Sequence, residues 1–180
     1  MTFATTQGTA NIRANSAAFV SAFVRRLETG LLSGASVSRS RYAVTQRHDT
    51  SLRFHAETFW TAIGVGLNDV ELAASSDGQV TYTIRFPRWA GYALGLSGLL
   101  GAVLIVVFAM IDLRAYIARY PGSSFPGLSM NQNVAVAWGM ALFWGFVWPW
   151  ILIALHKRPL RRLMNRIISE VDATAMGSRG

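Results

Sequence analysis

From Leu52 the chain alternates. Leu52, Phe54 and Ala56 are apolar against Arg53, His55 and Glu57, a period of two that predicts a strand with one buried face. Phe59, Ile63, Val65 and Leu67 continue the alternation through Thr61, and Val70, Leu72 and Ala74 form a further short run. Ser75-Ser76-Asp77-Gly78 marks a turn, after which Val80, Tyr82, Ile84 and Phe86 return against Thr81, Thr83 and Arg85. With Arg41 to Gln46 added, the pattern predicts an antiparallel meander of four or five strands. Upstream, Ser16 to Leu32 has helical spacing, with Val20, Val24, Leu27 and Leu31 on one face and Phe19 and Phe23 beside it. Residues 1–15 are polar and small and are expected to be loosely ordered unless a partner holds them. Ser33 to Ser40 reads as a linker of small residues.

Beyond Trp89 the pattern changes in kind. Ala90 to Ile111 and Val134 to Leu155 are each 22 residues without a charge. At about 1.5 Å per residue, either gives roughly 33 Å of helix, enough to cross a hydrocarbon core of about 30 Å. A chain of 180 residues is too short to bury two such helices on every side. Both are therefore expected to span a membrane. After the second, Pro159 is expected to open an amphipathic helix in which Leu160, Leu163, Met164, Ile167, Ile168 and Val171 share a stripe. That stripe needs a cover: the sheet, which a half-buried meander favours, the bilayer surface or another subunit. Ala173 to Gly180 reads as a frayed tail. The expected fold class is an α+β membrane protein, with a two-helix transmembrane hairpin and a small cytoplasmic antiparallel β-meander flanked by an N-terminal and a C-terminal amphipathic helix. The expected organisation is a cytoplasmic α+β domain over 1–89, transmembrane helices over 90–111 and 134–155 with an external loop over 112–133 between them, and a basic amphipathic helix and tail over 156–180. In the loop, Asp112 to Tyr120 either prolongs the first helix or lies along the interface, with Pro121-Gly122 as its stop.

Composition sharpens this picture. Hydrophobic residues make up 52% and charged residues 14%, against about 25% charged in soluble domains, and mean hydropathy is +0.31. The net charge of +8 is uneven: nine basic residues against six acidic before residue 90, two against one in the loop, and six against two after Leu155. The surplus beside the second apolar block fits anionic lipid headgroups rather than nucleic acid. Arg85, Arg88, Lys157, Arg158, Arg161, Arg162 and Arg166 flank the outer ends of the two blocks, whereas the loop carries only Arg114 and Arg119. The asymmetry predicts an integral multi-pass protein with both termini cytoplasmic. Met1 to Ala18 lacks the basic and apolar regions of a signal peptide. Of these basic residues, Lys157, Arg158, Arg161, Arg162 and Arg166 are the expected membrane-surface set.

Candidate chemistry is sparse. The absence of cysteine removes disulfides, thiolate metal sites and cysteine nucleophiles, and no phosphate-loop or HExxH motif occurs. His48 and His55 read as solvated, and Asp69 and Glu71 as a charged sheet face on an edge-like segment. His156, ending the second span, could ligate a haem- or chlorophyll-type metal or bond a quinone. Trp144 and Trp148, four residues apart, could offer a flat apolar cofactor an aromatic face. No cofactor is specified by these residues. Pro149 is expected to kink the second span by crowding the carbonyl of Gly145. Small residues at packing distance, Gly91, Gly95, Gly98 and Ala102 on one helix and Ala137, Ala141 and Gly145 on the other, are the expected helix-packing ridges. No ionisable residue occupies either span centre, which argues against a proton or ion path through this chain alone. The functional expectation is a non-catalytic accessory or structural subunit of a larger membrane complex, a pigment- or quinone-containing energy-transducing assembly being one such. Its partners would be other membrane subunits and anionic lipid, with no nucleic acid. The alternative is an independent membrane-anchored binding or regulatory module whose sheet recognises a protein, a lipid headgroup or a small molecule.

Overall fold

A computed structural model of the chain describes residues 3–32 and 41–177; the expected linker of Ser33 to Ser40 lies outside them. The described residues form two compact units, one from the chain up to Ala90 together with Leu155 onward, the other Gly91–Ala154.

The first unit is an α+β fold around a five-stranded antiparallel sheet. Its strands are β1 (Thr5–Asn11), β2 (Tyr42–Arg47), β3 (Ser51–Ala56), β4 (Asp69–Ala74) and β5 (Gln79–Arg85), in the order β1-β5-β4-β3-β2. The inner face repeats across the registers, with Ile84 opposite Val70 and Val70 opposite Phe54, and Tyr82 opposite Leu72 and Leu72 opposite Leu52. All six of these side chains are buried. Helix α1 (Ser16–Thr29), capped by the Asn15 side chain on Ala17 N–H at 2.8 Å, lays Phe23 5.7 Å from the Phe54 ring.

Four differences from the sequence reading have identifiable causes. Residues 5–11 are not loose but form β1, paired along its whole length with β5. Their inward row is Thr6, Gly8 and Ala10, too small to show apolar alternation. Phe59–Val65 is helix α2 rather than strand, because Thr58 caps its start on Thr61 N–H at 3.1 Å and Gly66, at φ 82°, ends it in the left-handed conformation. Asp69 and Glu71 lie on the central strand β4, not at an edge. Pro159 opens no new helix. It lies inside α6 (Trp148–Gly177), and Met130–Gly177 runs as one helix of 48 residues. The C-terminal helix therefore reaches Gly177 rather than fraying from Ala173, and Ala175 is buried.

The stripe on α6 is covered within this unit: Leu160, Met164, Ile167, Ile168 and Val171 are all buried, with Leu163 half-buried. Asp172 fixes the helix to the β1–α1 connection by accepting from Arg13 N–H at 3.1 Å and Ala14 N–H at 2.9 Å. Glu170 holds Arg26 of α1 at 3.1 Å.

The second unit begins along α3 (Pro87–Met110), followed by α4 (Leu113–Arg119), capped by Asp112, and α5 (Met130–Leu142), capped by Ser129 and Gln132 together. A π-helical turn, Phe143–Val147, joins α5 to α6 just before Pro149, where the kink is expected, with Trp148 N–H bonding back to Phe143 O. The expected packing ridge on α3 is displaced by one residue. The close contact is Gly101 against Gly145: a Cβ on Gly101 would lie 2.6 Å from Gly145 Cα. Among the described residues, nothing outside the helix's own backbone comes within 4 Å of a Cβ at Gly91, Gly95 or Gly98, and Ala102 is exposed. On the facing helix Ala141 and Gly145 are buried and Ala137 is half-buried. Phe108 meets Trp138 edge-on at 5.6 Å. Among the described residues, two helices are long and apolar enough to cross a membrane, Pro87–Met110 and Met130–Gly177.

Candidate functional site

The densest polar and aromatic convergence lies where α3 leaves the sheet. Pro87 occupies the first helical position, and Phe86 before it has no side chain able to cap the following N–H groups. Asn68, from the loop before β4, supplies the cap instead. Its Oδ1 accepts from Arg88 N–H at 2.7 Å and Trp89 N–H at 3.3 Å, while its Nδ2 donates to Ala62 O of α2 at 2.7 Å. The residue is 2% exposed. Arg88 Nη1 donates to Ala56 O at 3.0 Å, which fixes the same helix start to β3.

His156 completes the convergence. Its ring stacks flat on Trp89, with centroids 3.8 Å apart and planes 2° apart, and Phe86 meets it edge-on at 5.6 Å. A Cβ at Gly66 would collide with His156 Nε2 and crowd Leu160, so glycine is needed here for close approach as well as for its positive φ. Nε2 is buried and has no hydrogen-bond partner among the described residues, and burial pushes the imidazole below its ordinary value. This environment favours a neutral, packed ring whose Nε2 edge faces protein.

The other residues considered for a cofactor lie in the helical unit. Trp144 and Trp148 are 4.7 Å apart with Phe143 against both. Trp144 also lines an apolar cavity of about 320 Å³ with Phe108, Tyr116, Phe125 and Met140; Trp148 is not part of that lining. Asn133 and Ser123 are among its polar lining, but the Asn133 amide is committed to Phe125 N–H at 2.7 Å and to the carbonyls of Leu128 and Ser129 at 3.1 Å, and the Ser123 hydroxyl donates to Tyr120 O at 2.6 Å. The cavity has the size and character of a site for a small apolar group. His156 and the tryptophan pair thus fall in different units.

The basic set after Leu155 divides. Arg166 pairs with Glu170 at 3.2 Å, Lys157 is half-buried, and Arg158, Arg161 and Arg162 are exposed. On the outer sheet face Glu71 lies between Arg53 at 3.4 Å and Arg85 at 3.3 Å. His55 faces outward opposite Asp69, and His48 lies in the exposed β2–β3 turn. No cluster of three metal-ligating side chains occurs among the described residues.

Sequence reasoning missed Asn68, Gly66 and Gly101. The pair Pro87-Arg88 after a strand does announce a helix start in need of an acceptor, but nothing local names Asn68, nineteen residues upstream of Pro87, as its source. No protein-family model matches the chain, and comparison with curated proteins and with solved structures finds no match either.

Proposed function

We propose that the chain is an integral membrane protein with two spans and both termini cytoplasmic, and that it acts as a non-catalytic accessory or structural subunit of a larger membrane complex. The observation that carries this reading is the outward surface of α3. Only 6% of its most apolar stretch is buried, and Leu96, Leu99, Leu100, Val103 and Val106 are each at least half exposed. A surface of that size and character needs lipid or protein around it. The Gly91–Gly95 notch, unused by the chain's own hairpin, gives a neighbouring helix a place for close backbone approach. The cavity beside Trp144 is compatible with a quinone or pigment ring supplied by such an assembly.

The alternative, an independent anchored module, draws on the open outer face of the sheet. A polar depression of about 310 Å³ lies there between Arg53, Glu71, Thr81 and Thr83. The two readings separate in native gels after mild detergent extraction of the full chain. A subunit migrates with other membrane proteins, and Gly95→Leu releases it while leaving the chain folded. Migration alone or as a homo-oligomer, unchanged by Gly95→Leu, rejects the subunit reading in favour of the module.

A further inference from the structure

The basic residues of α6 do not share one environment. Arg166 shares the Glu170 carboxylate with Arg26 of α1. Arg158, Arg161 and Arg162 have no carboxylate within ion-pair distance among the described residues. All three border one open depression of about 400 Å³, whose other walls are Gly8 and Thr9 of β1, Tyr82 of β5 and Asn165 of α6.

The depression is built by the fold rather than by α6 alone. Gly8 stands opposite Tyr82 in the register, and a Cβ there would overlap the hydroxyl end of the Tyr82 ring. The missing side chain lets the phenol lie across β1 and reach α6. Its hydroxyl donates to Asn165 Oδ1 at 2.7 Å and lies 3.4 Å from Arg161 O. Because the Asn165 oxygen accepts that bond, its amide N–H groups stay available as neutral donors beside the three guanidinium groups. Burial raises the Tyr82 phenol above its ordinary value despite the opposing pull of Arg161, so it remains a protonated donor at neutral pH.

We propose that this depression binds the phosphate of an anionic phospholipid headgroup, held by Arg158, Arg161 and Arg162 with Asn165 as a neutral donor. Guanidinium forks match phosphate oxygens in pairs, and three unpaired cations within about one turn of helix repel one another until an anion joins them. The lipid source follows from position and rests on the spanning reading above. Arg158 to Arg162 lie three to seven residues beyond Leu155 on the same helix, roughly 5–10 Å at about 1.5 Å per residue. The headgroup layer extends roughly 5–8 Å beyond each side of the hydrocarbon core.

The test is equilibrium binding of a fluorescent-tailed phosphatidic acid to the full chain in maltoside micelles. Unlabelled phosphatidic acid, phosphatidylcholine and inorganic phosphate serve as competitors. Phosphatidic acid is expected to displace the probe and phosphatidylcholine not. Replacing both Arg161 and Arg162 by Gln weakens binding about tenfold or more, whereas Arg166→Gln stays within about twofold. These are exposed side chains, so an unchanged circular dichroism melt confirms that the variants fold. Equal losses in the two variants, or none in the double variant, overturn the site. Inorganic phosphate competing as well as the lipid overturns the lipid source and assigns the depression to a soluble phosphate compound. Resistance to alkaline carbonate extraction from membranes tests the spanning reading separately, so failure of either result identifies which inference is wrong.

Discussion

One amide at Asn68 makes three hydrogen bonds that join α2, the loop before β4 and the first turn of α3. Helix starts leave N–H groups without intrahelical partners, and a side chain usually supplies the acceptor from the preceding residue. Here that residue is Phe86, fully buried in the core, and the acceptor comes from elsewhere in the chain. Asn68→Leu fits the space approximately but strands the Arg88 and Trp89 N–H donors in a buried site, while Ala62 O keeps its bond from Gly66 N–H; the expected cost is about 1–3 kcal/mol. Asn68→Asp keeps the acceptor and gains from the positive end of the helix dipole, which offsets the carboxylate oxygen it turns toward Ala62 O, so it should cost less. Thermal unfolding of the detergent-solubilised chain, followed by near-UV circular dichroism, checks the order. Equal stability of the Leu and wild-type proteins would show that water satisfies these groups.

At the scale of elements, the hairpin is set by where two helix backbones meet. Gly101 and Gly145 are close enough that either Cβ would lie 2.6 Å from the opposite Cα, which requires glycine on both sides. Gly101→Leu forces the helices apart and should destabilise the chain by about 1–3 kcal/mol. Gly95→Leu, where a Cβ meets nothing within 4 Å, should change the stability of the isolated chain by less than about 0.5 kcal/mol. The same unfolding measurement separates them, and a larger loss at Gly95 would place the contact on the wrong face of α3. Which elements could be read from the sequence depends on how each is stabilised. Strands β3 to β5 announce themselves because their inward rows carry large apolar side chains such as Phe54, Leu72 and Ile84. The α1 and α6 stripes do the same at helical spacing. Strand β1 is hidden because its inward row is the small residues Thr6, Gly8 and Ala10, with Gly8 against the Tyr82 ring, and α2 is hidden because its seven residues show a false period of two while its caps decide its form. Four small residues on α3 matched the packing pattern, but facing geometry selected Gly101, one position round the helix from the predicted ridge.

For the whole molecule, orientation is the expectation with the widest reach. The basic surplus on the outer flanks of the two apolar blocks predicts that residues 112–133 face away from the cytoplasm. The cysteine-free sequence allows a direct test. Ser124→Cys should react with a membrane-impermeant maleimide in intact cells, and Ser169→Cys, exposed on α6, should react only after the cells are opened. The reverse pattern would invert the topology. The burial of α6 against the sheet unit also sets a schedule for biosynthesis. Leu160, Met164, Ile168 and Ala175 complete a core whose other walls end at Phe86 and Ala90. A ribosome that has finished the last strand at Arg85 must therefore translate about 90 further residues to reach Ala175, roughly 4.5–18 s at 5–20 residues per second, before that core can close. During this interval the nascent sheet shows an apolar face that α1 covers only in part, while the two most apolar stretches of the polypeptide emerge. Maturation of the domain made first thus waits for the segment made last.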